Sequence, residues 1–561
     1  MTIDVSLPQD PILVRLLDAA RLTDEIVIFD DYGFQKTYAQ LLGDIIATRN
    51  ALRDSLPSAI CPGGLITADW PYVGAVTHGG YEFIVSFFAI RALGGACFPF
   101  SSAVLPDDAR HYLVETNAVA ILAGRGSMES AREISALMKA DTFVLLEVST
   151  NSQALPASAV SFNKAQLLDP QGPGVVMCTS GTTGIPKALI LPRQCLVQSE
   201  PLKLGKATLS YRPPHWRGGF ASAILPVLSA HKLYSTRLHA GPDVMWELLR
   251  KHHITVLIFN PVLLRKMKEY YESDLAHLVA NVRSEYVEGF KRLGSIRCSG
   301  AFLSPILLRF YTELTALPFK NAYGQTESGA SVTEVDVYNP TDVKYSVGIV
   351  VRDHPVQVKL SEDTYGEFLV KTPWMMKGYI NNEEATRAAF TVDGWLKTGD
   401  VGQRVGEEFI FKGRANDDFI GHVPRIPVEF AVQNLSYVAE GYVLRINDYE
   451  ERAICAALIR LKPNTVVPKD MTIAQFHEDL STSIPAYMRP YLLRVLLEGE
   501  EIPYTASQKP NKPAILKEFF GVTDFWNAQN PPKEVQVWPM RLSIHSQPTA
   551  QNHKSWDFAS W

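Results

Sequence analysis

The most informative stretch of this chain is Val175-Val-Met-Cys-Thr-Ser-Gly-Thr-Thr-Gly-Ile-Pro-Lys-Ala188. Its apolar start predicts a buried strand, which enters a loop of small and hydroxyl-bearing residues: Thr179, Ser180, Gly181, Thr182, Thr183 and Gly184. The glycines allow a tight turn that presents backbone N–H groups to an anion, and the hydroxyls add donors. Lys187 adds a positive charge. The spacing is not that of a Walker A loop, so it indicates another kind of phosphate-binding loop, with an ordinary surface turn as the alternative.

The segment from Ser180 to Lys187 resembles the signature of the adenylate-forming superfamily, which includes acyl-CoA synthetases, peptide-synthetase adenylation domains and luciferases. Further motifs resemble those of the family and follow in its order: Asn321-Ala-Tyr-Gly-Gln-Thr-Glu327, Gly394-Trp-Leu-Lys-Thr-Gly-Asp400, Phe411-Lys-Gly-Arg414 and Pro503-Tyr-Thr-Ala-Ser-Gln-Lys509. The resemblance extends over 38–519 and is nearest to the short-acid, malonate-activating branch of the acyl-CoA synthetases.

The order of apolar runs and helical patterns predicts the fold class. Strands that alternate with helices indicate α/β layers with largely parallel sheets. The resemblance implies a large N-terminal adenylate-forming domain of layered α/β sheets and a small, mobile α+β C-terminal domain. We therefore predict an AMP- and acyl-binding domain over 1–413, a mobile domain with the catalytic lysine over 414–520, and a C-terminal extension over 521–561.

The resemblance also implies roles in nucleotide binding. The loop 179–184 would hold the ATP phosphates, with Lys187 as a weaker candidate. The ring of Tyr323 suits stacking on adenine, and the small residues Gly300 and Ala301 would let the base approach closely. Asp400 would accept hydrogen bonds from both ribose hydroxyls, joined there by Arg414.

Catalysis requires two anions, a carboxylate and the α-phosphate, to be brought together. The resemblance implies that Thr326 donates to the α-phosphate and that Glu327 binds Mg²⁺, which prefers hard oxygen ligands. Lys509 would stabilise the developing charge, and His215 would border the acyl site. Asp417 is the predicted hinge about which the small domain turns, with Asp418 as the alternative.

The chain departs from the family pattern in three places. Gln508 replaces the glycine before Lys509, which makes Lys512 a fallback for the catalytic lysine. The loop from Asp418 to Glu429 is about two residues short and lacks a lysine, and it normally lines the path of the thiol. The residues after Phe519 have no counterpart in the family pattern.

The predicted acyl pocket contains Trp216, Arg217, Ala322 and Ser328. In the malonate-activating branch an arginine commonly precedes the tyrosine that matches Tyr323, and here that position is Ala322. Arg217 could replace it as a partner for a second carboxylate, or could be a surface residue stacked on Trp216. The expected substrate is a small or medium organic acid, such as a dicarboxylic acid or a specialised pathway intermediate.

Composition narrows the possible functions. The chain has 54 basic and 59 acidic residues, a formal net charge of -5, which argues against nucleic-acid binding through bulk charge. Six scattered cysteines without a CxxC pair indicate free thiols and a cytoplasmic location. The most apolar run, Phe83 to Ile90, is too short for a membrane span.

The leading hypothesis is an acid–thiol ligase that uses ATP and Mg²⁺ to form an acyl-AMP and then transfers the acyl group to CoA. One alternative is an adenylation enzyme that loads the phosphopantetheine of a separate carrier protein. The other is a degenerate, non-catalytic member that binds nucleotide.

Overall fold

The computed structural model describes residues 5–66, 72–139, 142–179, 187–197, 202–237, 240–337, 345–352, 354–414, 419–420, 423–447, 453–462, 471–505, 510–523, 526 and 531–538. The chain forms two compact units. The large unit contains Met1–Phe419 and Tyr504–Asn511, and the small unit contains Ile420–Pro503 and Lys512–Trp561. The three-part division at 413 and 520 remains a prediction.

The large unit is a layered arrangement of helices and sheets. Within the described ranges its helices are α1 (Pro11–Ala20), α2 (Tyr38–Ser55), α3 (Gly80–Ala92), α4 (Pro106–Glu115), α5 (Met128–Met138), α6 (Arg217–Leu228), α7 (Pro242–Lys251), α8 (Pro261–Ser273), α9 (Ala280–Lys291), α10 (Pro305–Thr315) and α11 (Glu383–Ala389).

The strands of the large unit's first half are β1 (Ser6–Gln9), β2 (Ile26–Asp30), β3 (Gln35–Thr37), β4 (Tyr72–Val76), β5 (Ala96–Phe100), β6 (Ala120–Ala123), β7 (Val144–Glu147), β8 (Ser161–Leu167), β9 (Pro173–Cys178), β10 (Ala188–Pro192), β11 (Ala207–Ser210) and β12 (Lys232–Ser235). Its later strands are β13 (Ile258–Phe259), β14 (Ile296–Ser299), β15 (Phe319–Tyr323), β16 (Thr333–Val337), β17 (Ser346–Val350), β18 (Gln357–Leu360), β19 (Tyr365–Lys371), β20 (Gly378–Tyr379), β21 (Leu396–Val405) and β22 (Glu408–Arg414).

The described strands of the large unit form three larger sheets and one two-stranded sheet. A seven-stranded sheet has the order β20-β10-β9-β5-β4-β6-β7, and a nine-stranded sheet has the order β13-β14-β15-β16-β17-β22-β21-β19-β18. A four-stranded sheet runs β11-β12-β2-β3, and β1 pairs with β8. In the seven-stranded sheet β9, β5, β4, β6 and β7 are parallel neighbours, as expected for strands connected by helices. The predicted α/β fold class is confirmed.

Every residue of helix α3 is buried, which shows that the helix lies in the interior of this unit. A helix that is apolar on all sides must be covered on all sides. Its neighbour α2 begins with a capping box, in which Thr37 and Gln40 satisfy each other's backbone N–H groups. The core built around these helices supports the β9–β10 end of the seven-stranded sheet, where the phosphate loop begins.

The small unit is an α+β arrangement. Its described elements are α12 (Arg425–Gln433), β25 (Val438–Asn447), β26 (Ala453–Leu461), α13 (Ile473–Asp479), β27 (Leu492–Val495), α14 (Lys512–Phe520) and β28 (Val535–Val537). The short strands β23 (Phe419–Ile420) and β24 (Val423–Pro424) form a separate two-stranded sheet.

The C-terminal residues contribute a strand to the small unit. Strand β28 pairs antiparallel with β27 and ends the sheet order β25-β26-β27-β28. The side chain of Gln536 accepts from Ile473 N at 2.6 Å and donates to the Met471 carbonyl at 2.6 Å. The Trp538 ring stacks on His477 with centroids 3.9 Å apart. The described part of the extension is therefore packed into the small unit.

All six cysteines lie in the described ranges, and each is a free thiol.

None of the helices in the described part of the chain combines the length and the apolar character needed to cross a membrane.

Candidate active site

The predicted phosphate loop connects two adjacent antiparallel strands. Cys178 at the end of β9 pairs with Ala188 at the start of β10. The next pair outward, Thr179 and Lys187, is joined by a bond from Thr179 N to the Lys187 carbonyl at 2.9 Å. Strand pairing therefore fixes both ends of the loop. Five predicted ligands of phosphate lie outside the described residues: Ser180, Gly181, Thr182, Thr183 and Gly184.

Tyr379 connects the base of this loop to a second motif. The Nζ atom of Lys187 lies 5.2 Å from the centroid of the Tyr379 ring, a cation–π distance. The Tyr379 hydroxyl donates to Glu327 Oε1 at 3.2 Å. Burial and the nearby Glu327 raise the pKa of Tyr379 above its usual value, so its hydroxyl stays protonated at neutral pH. Tyr379 therefore links Lys187, at the end of the phosphate loop, to the motif that carries Glu327.

Thr326 and Glu327 lie in a tight turn whose backbone is held on several sides. Gly329 N donates to the Thr326 carbonyl at 3.1 Å, and Met376 N donates to the Glu327 carbonyl at 2.8 Å. Their side chains are half-buried. Within the described ranges, the Thr326 hydroxyl and the second carboxylate oxygen of Glu327 have no protein partner. These two groups can therefore receive a ligand.

The side chain of Ser328, which was predicted to line the substrate pocket, forms hydrogen bonds within the same turn. Its side chain is buried, and its hydroxyl lies 2.8 Å from the Gln325 carbonyl and 2.7 Å from the Ala330 carbonyl. It also accepts from Gln325 N at 3.1 Å. Its hydrogen bonds therefore shape the loop that carries Thr326 and Glu327.

Asp400 is the centre of a hydrogen-bonded group that we call the Asp400 cluster, made of Tyr323, Gln325, Asp400 and Arg414. Asp400 is 6% exposed. Its Oδ2 atom accepts from Tyr323 Oη at 2.7 Å and from Gln325 Nε2 at 2.8 Å. Its Oδ1 atom accepts from Arg414 Nε at 3.1 Å. The register of β21 and β22 places Asp400 directly opposite Arg414.

This arrangement limits what Asp400 can accept. A carboxylate has about four lone-pair sites, and the cluster uses three of them. One ribose hydroxyl can therefore bond to Asp400 directly. A second hydroxyl would need one protein donor to move. The side chain of Arg414 is 36% exposed.

The adenine side of the site is open. Gly300 has a φ of +91°, and a Cβ atom placed on it would meet nothing within 4 Å. Both Gly300 and Ala301 are exposed. The Tyr323 ring lies 5.4 Å from that of Phe368 and 6.4 Å from that of Phe411. Burial, followed by the charge of Asp400, raises the pKa of Tyr323 well above its usual value.

His215, Trp216 and Arg217 lie at the start of α6. The His215 Nδ1 atom is buried and has no hydrogen-bond partner in the described part of the chain. Burial lowers the pKa of His215 to about 4, so its ring is neutral at pH 7. The His215 and Trp216 rings contact each other edge-on at 5.5 Å.

Arg217 points to the turn that carries Glu327. Its Nε atom donates to the Gly329 carbonyl at 3.0 Å, and its Nη2 atom donates to the same oxygen. Gly329 is the last residue of the turn that begins at Thr326. Ala322, the other predicted pocket position, is half-buried in β15 opposite Glu334.

The predicted catalytic residue Lys509 and the predicted hinge residue Asp417 lie outside the described residues, as do Gln508 and Asp418. The segment around Lys509 is described at its ends. An antiparallel bridge joins Tyr504 to Pro510, and Tyr504 Oη accepts from Arg265 Nη2 at 3.2 Å. Lys512, the fallback, is the first residue of α14.

Sequence reasoning missed two residues of the site. Gln325 occupies the variable position of its motif, so the motif gave no signal for it. Tyr379 was not among the predicted site residues, because its position beside the strand that follows Lys187 depends on the pairing of β10 with β20. Both act through contacts between residues far apart in sequence.

Comparisons with known proteins show the family of the chain. The profile of the AMP-binding enzyme family matches residues 19–380. The chain is 30% identical over 527 residues to the acyl-CoA ligase oryP of Aspergillus oryzae, covering 92% of this chain and 93% of that protein. It is 24% identical to a malonate–CoA ligase of Arabidopsis thaliana, covering 79% and 77% of the two chains.

The solved structures support the fold. ATP-bound MatB from Rhodopseudomonas palustris superposes with a TM-score of 0.73 at 19% identity, covering 91% of this chain and 99% of that one. The anthranilate CoA ligase AuaEII superposes with a TM-score of 0.71 at 19% identity, covering 91% and 97%. These likenesses concern the fold alone.

The chain belongs to the AMP-binding enzyme family. The predicted membership of the adenylate-forming superfamily is confirmed, and so is the predicted enzyme class, an AMP-forming acid–CoA ligase.

Proposed function

We propose that this enzyme couples a small or medium organic acid to CoA in two half-reactions at the site described above. In the first, a carboxylate oxygen of the acid attacks the α-phosphorus of ATP, and the bond to pyrophosphate breaks. In the second, the thiol of CoA attacks the acyl carbon, loses its proton, and displaces AMP. The observation that carries the proposal is the convergence of three motifs on Glu327 and Asp400.

The residues have distinct roles in nucleotide binding. The loop 179–184 and Lys187 hold the phosphates, with the paired ends Thr179 and Lys187 fixing the loop. Adenine stacks on the Tyr323 ring against the open surface at Gly300 and Ala301. Asp400 accepts from the ribose, while Gln325 and Arg414 hold its carboxylate in place.

Glu327 is the proposed ligand of Mg²⁺. The Tyr379 hydroxyl donates to Oε1, and the carboxylate of Glu327 would hold the ion. In the described ranges no group of three or more His, Cys, Asp or Glu side chains could hold a metal by itself. One carboxylate shared with phosphate oxygens and water suits Mg²⁺, which keeps several waters and neutralises charge on the phosphates.

The chemistry needs cationic and donor groups at the α-phosphate. The Thr326 hydroxyl, held in the turn and without a protein partner in the described ranges, donates to it. Lys509 stabilises the negative charge that develops as pyrophosphate leaves. We propose that the small domain then turns about Asp417 to admit the thiol.

CoA is the proposed acceptor, since the relatives named above are CoA ligases. The carrier-protein alternative has no observation in its favour. The cytoplasmic location remains a prediction that rests on the use of cysteine.

The test is pyrophosphate release from Mg-ATP across a panel of organic acids, with and without CoA. We expect release that depends on a particular acid, and acyl-CoA when CoA is added. Lys509→Ala should lower the rate on the order of 100-fold or more, while Lys512→Ala should retain activity. The reverse result would assign the catalytic role to Lys512. Pyrophosphate release without formation of acyl-CoA would refute the CoA step. Binding of ATP without turnover of any acid would favour the degenerate, non-catalytic alternative.

A further inference from the structure

The chain that follows α14 packs back on the end of that helix. Helix α14 ends at Phe520, and Gly521 turns the chain with a φ of +65°, the left-handed conformation that glycine adopts at helix ends. Val522 N donates to the Leu516 carbonyl, inside the helix, at 3.0 Å. A Cβ atom placed on Gly521 would lie 3.2 Å from Pro532 Cγ. The later part of the C-terminal extension therefore packs directly on this turn.

Trp526 attaches the extension to one edge of the small unit's sheet. Its backbone N donates at 2.8 Å to the carbonyl of Asn447, the last residue of the edge strand β25. Trp526 is 1% exposed, although its Nε1 atom has no acceptor among the described residues. A buried indole normally finds such an acceptor. The side chain is therefore held by the packing of its large apolar ring.

Strand β28 attaches the extension to the opposite edge of the same sheet. In the order β25-β26-β27-β28 it is three strands away from β25. Val535 of β28 pairs with Arg494 of β27. The guanidinium carbon of Arg494 lies 5.6 Å from the centroid of the Phe519 ring in α14, and its Nη2 atom is paired with Glu500 at 2.5 Å. Strand β28 thus covers the strand whose arginine contacts the helix.

The two attachments make residues 521–538 a strap that holds the end of α14. Neighbouring strands lie about 4.8 Å apart, so the two edges of the sheet are about 14 Å from each other. Helix α14 contacts β25, and its Phe519 ring lies against Arg494 of β27. Because the strap is attached at both edges, the helix cannot shift along the sheet unless one attachment breaks.

The position of α14 matters because of the residue that precedes it. Lys509 lies three residues before Lys512, the first residue of the helix. Over so short a connection, a shift of the helix moves the lysine as well. A misplacement of about 1 Å, caused far from the reacting groups, can cost about 100-fold in rate.

We propose that the strap is a positioning element for the adenylation step, with Trp526 as its anchor, because it fixes the helix that follows Lys509. This inference rests on the proposed function, in which Lys509 stabilises the charge at the α-phosphate. Trp526 acts through α14 and takes no part in the chemistry.

Hydrogen exchange in the whole chain tests the hold on the helix. The variants are Trp526→Leu and a matched control, Phe476→Leu. Phe476 is fully buried in the small unit, in a core cluster that includes none of the described residues of α14. Trp526→Leu should speed exchange in Lys512–Phe520 on the order of tenfold relative to β26, and Phe476→Leu should not. Gly521→Ala, strained by its positive φ, should show the same pattern if Trp526→Leu does not fold.

Rapid quenching tests the positioning role by separating the two half-reactions. The acid used is the one that releases most pyrophosphate in the panel described above. Trp526→Leu should lower the rate of acyl-AMP formation between about tenfold and 100-fold, and leave the conversion of acyl-AMP to acyl-CoA nearly unchanged. Phe476→Leu should show no such selectivity. Equal losses in both half-reactions, or unchanged exchange in Lys512–Phe520, would overturn the inference.

Lys509→Ala distinguishes failure of the strap from failure of the proposed function. A wild-type rate of acyl-AMP formation in Lys509→Ala would refute the role of Lys509 itself. A slow Lys509→Ala beside a normal Trp526→Leu would refute the strap alone. If no acid turns over, labelling with an amine reagent replaces the rates. Mg-ATP should protect Lys509 in the wild type and protect it less in Trp526→Leu; equal protection in both, or none in the wild type, would overturn the inference.

Discussion

Gln325 offers the sharpest test of the Asp400 cluster, because its side-chain amide donates hydrogen bonds to two groups. Gln325→Met keeps the length of the side chain and removes both donated bonds, to the Thr398 carbonyl and to Asp400 Oδ2, each 2.8 Å long. A hydrogen bond to a charged group contributes about 1.5–3 kcal/mol and a neutral one about 0.5–1.5 kcal/mol. We therefore expect the free energy of unfolding to fall by about 2–4.5 kcal/mol.

The same change should weaken nucleotide binding without abolishing it. Asp400 keeps Tyr323 and Arg414 as partners but loses the group that fixes the orientation of Oδ2. We expect KM for ATP to rise on the order of tenfold. Urea unfolding followed by tryptophan fluorescence measures the first effect, and pyrophosphate release at varied ATP concentration measures the second.

Gln194→Met is the matched control. Gln194 donates one amide bond, to the Pro373 carbonyl at 2.9 Å, and does not contact Asp400. It should lower the free energy of unfolding by about 1 kcal/mol and leave KM for ATP unchanged. If the two variants have the same effect on KM, Gln325 does not position Asp400, and the reasoning is refuted.

Three further predictions concern other parts of the chain. Tyr379→Phe should lower kcat about tenfold or more, because Glu327 loses a hydrogen bond that contributes about 1.5–3 kcal/mol. It should also raise the Mg²⁺ concentration needed for the half-maximal rate. An unchanged dependence of the rate on Mg²⁺ would contradict this prediction. Burial lowers the pKa of His215 to about 4. The contribution of its neutral ring to the free energy of unfolding is therefore complete above about pH 6.5 and falls by at most about 1.4 kcal/mol per pH unit on acidification toward pH 4. His215→Gln should flatten this part of the plot of unfolding free energy against pH. Gln536→Leu should destabilise the small unit by about 1–3 kcal/mol by removing both bonds that hold β28, as measured by hydrogen exchange in Val535–Val537; unaltered protection there would argue against the strand.

Much of the site was predictable because the motifs are local in sequence. Asp400 and Arg414 are fourteen residues apart on two paired strands, so two short motifs were enough to place them together. Tyr323 and Glu327 belong to a single motif. The fold class followed from the alternation of strands and helices in the same way.

The remaining contacts depend on tertiary structure. Gln325 reaches Asp400 across 75 residues of sequence, and Tyr379 reaches Glu327 across 52. No pattern of polarity or propensity specifies which side chains meet over such distances. The environment of Arg217 is a similar case, because its sequence neighbours were equally compatible with a surface residue stacked on Trp216.

The central claim is that a carboxylate oxygen of the acid bonds to the α-phosphorus of ATP. The most direct measurement uses an acid whose carboxylate carries heavy oxygen, with mass spectrometry of the nucleotide product. The mechanism predicts AMP that contains one heavy oxygen atom, formed together with pyrophosphate and acyl-CoA. Unlabelled AMP, or ADP with labelled phosphate, would show that the acid is not activated as an adenylate and would contradict the account.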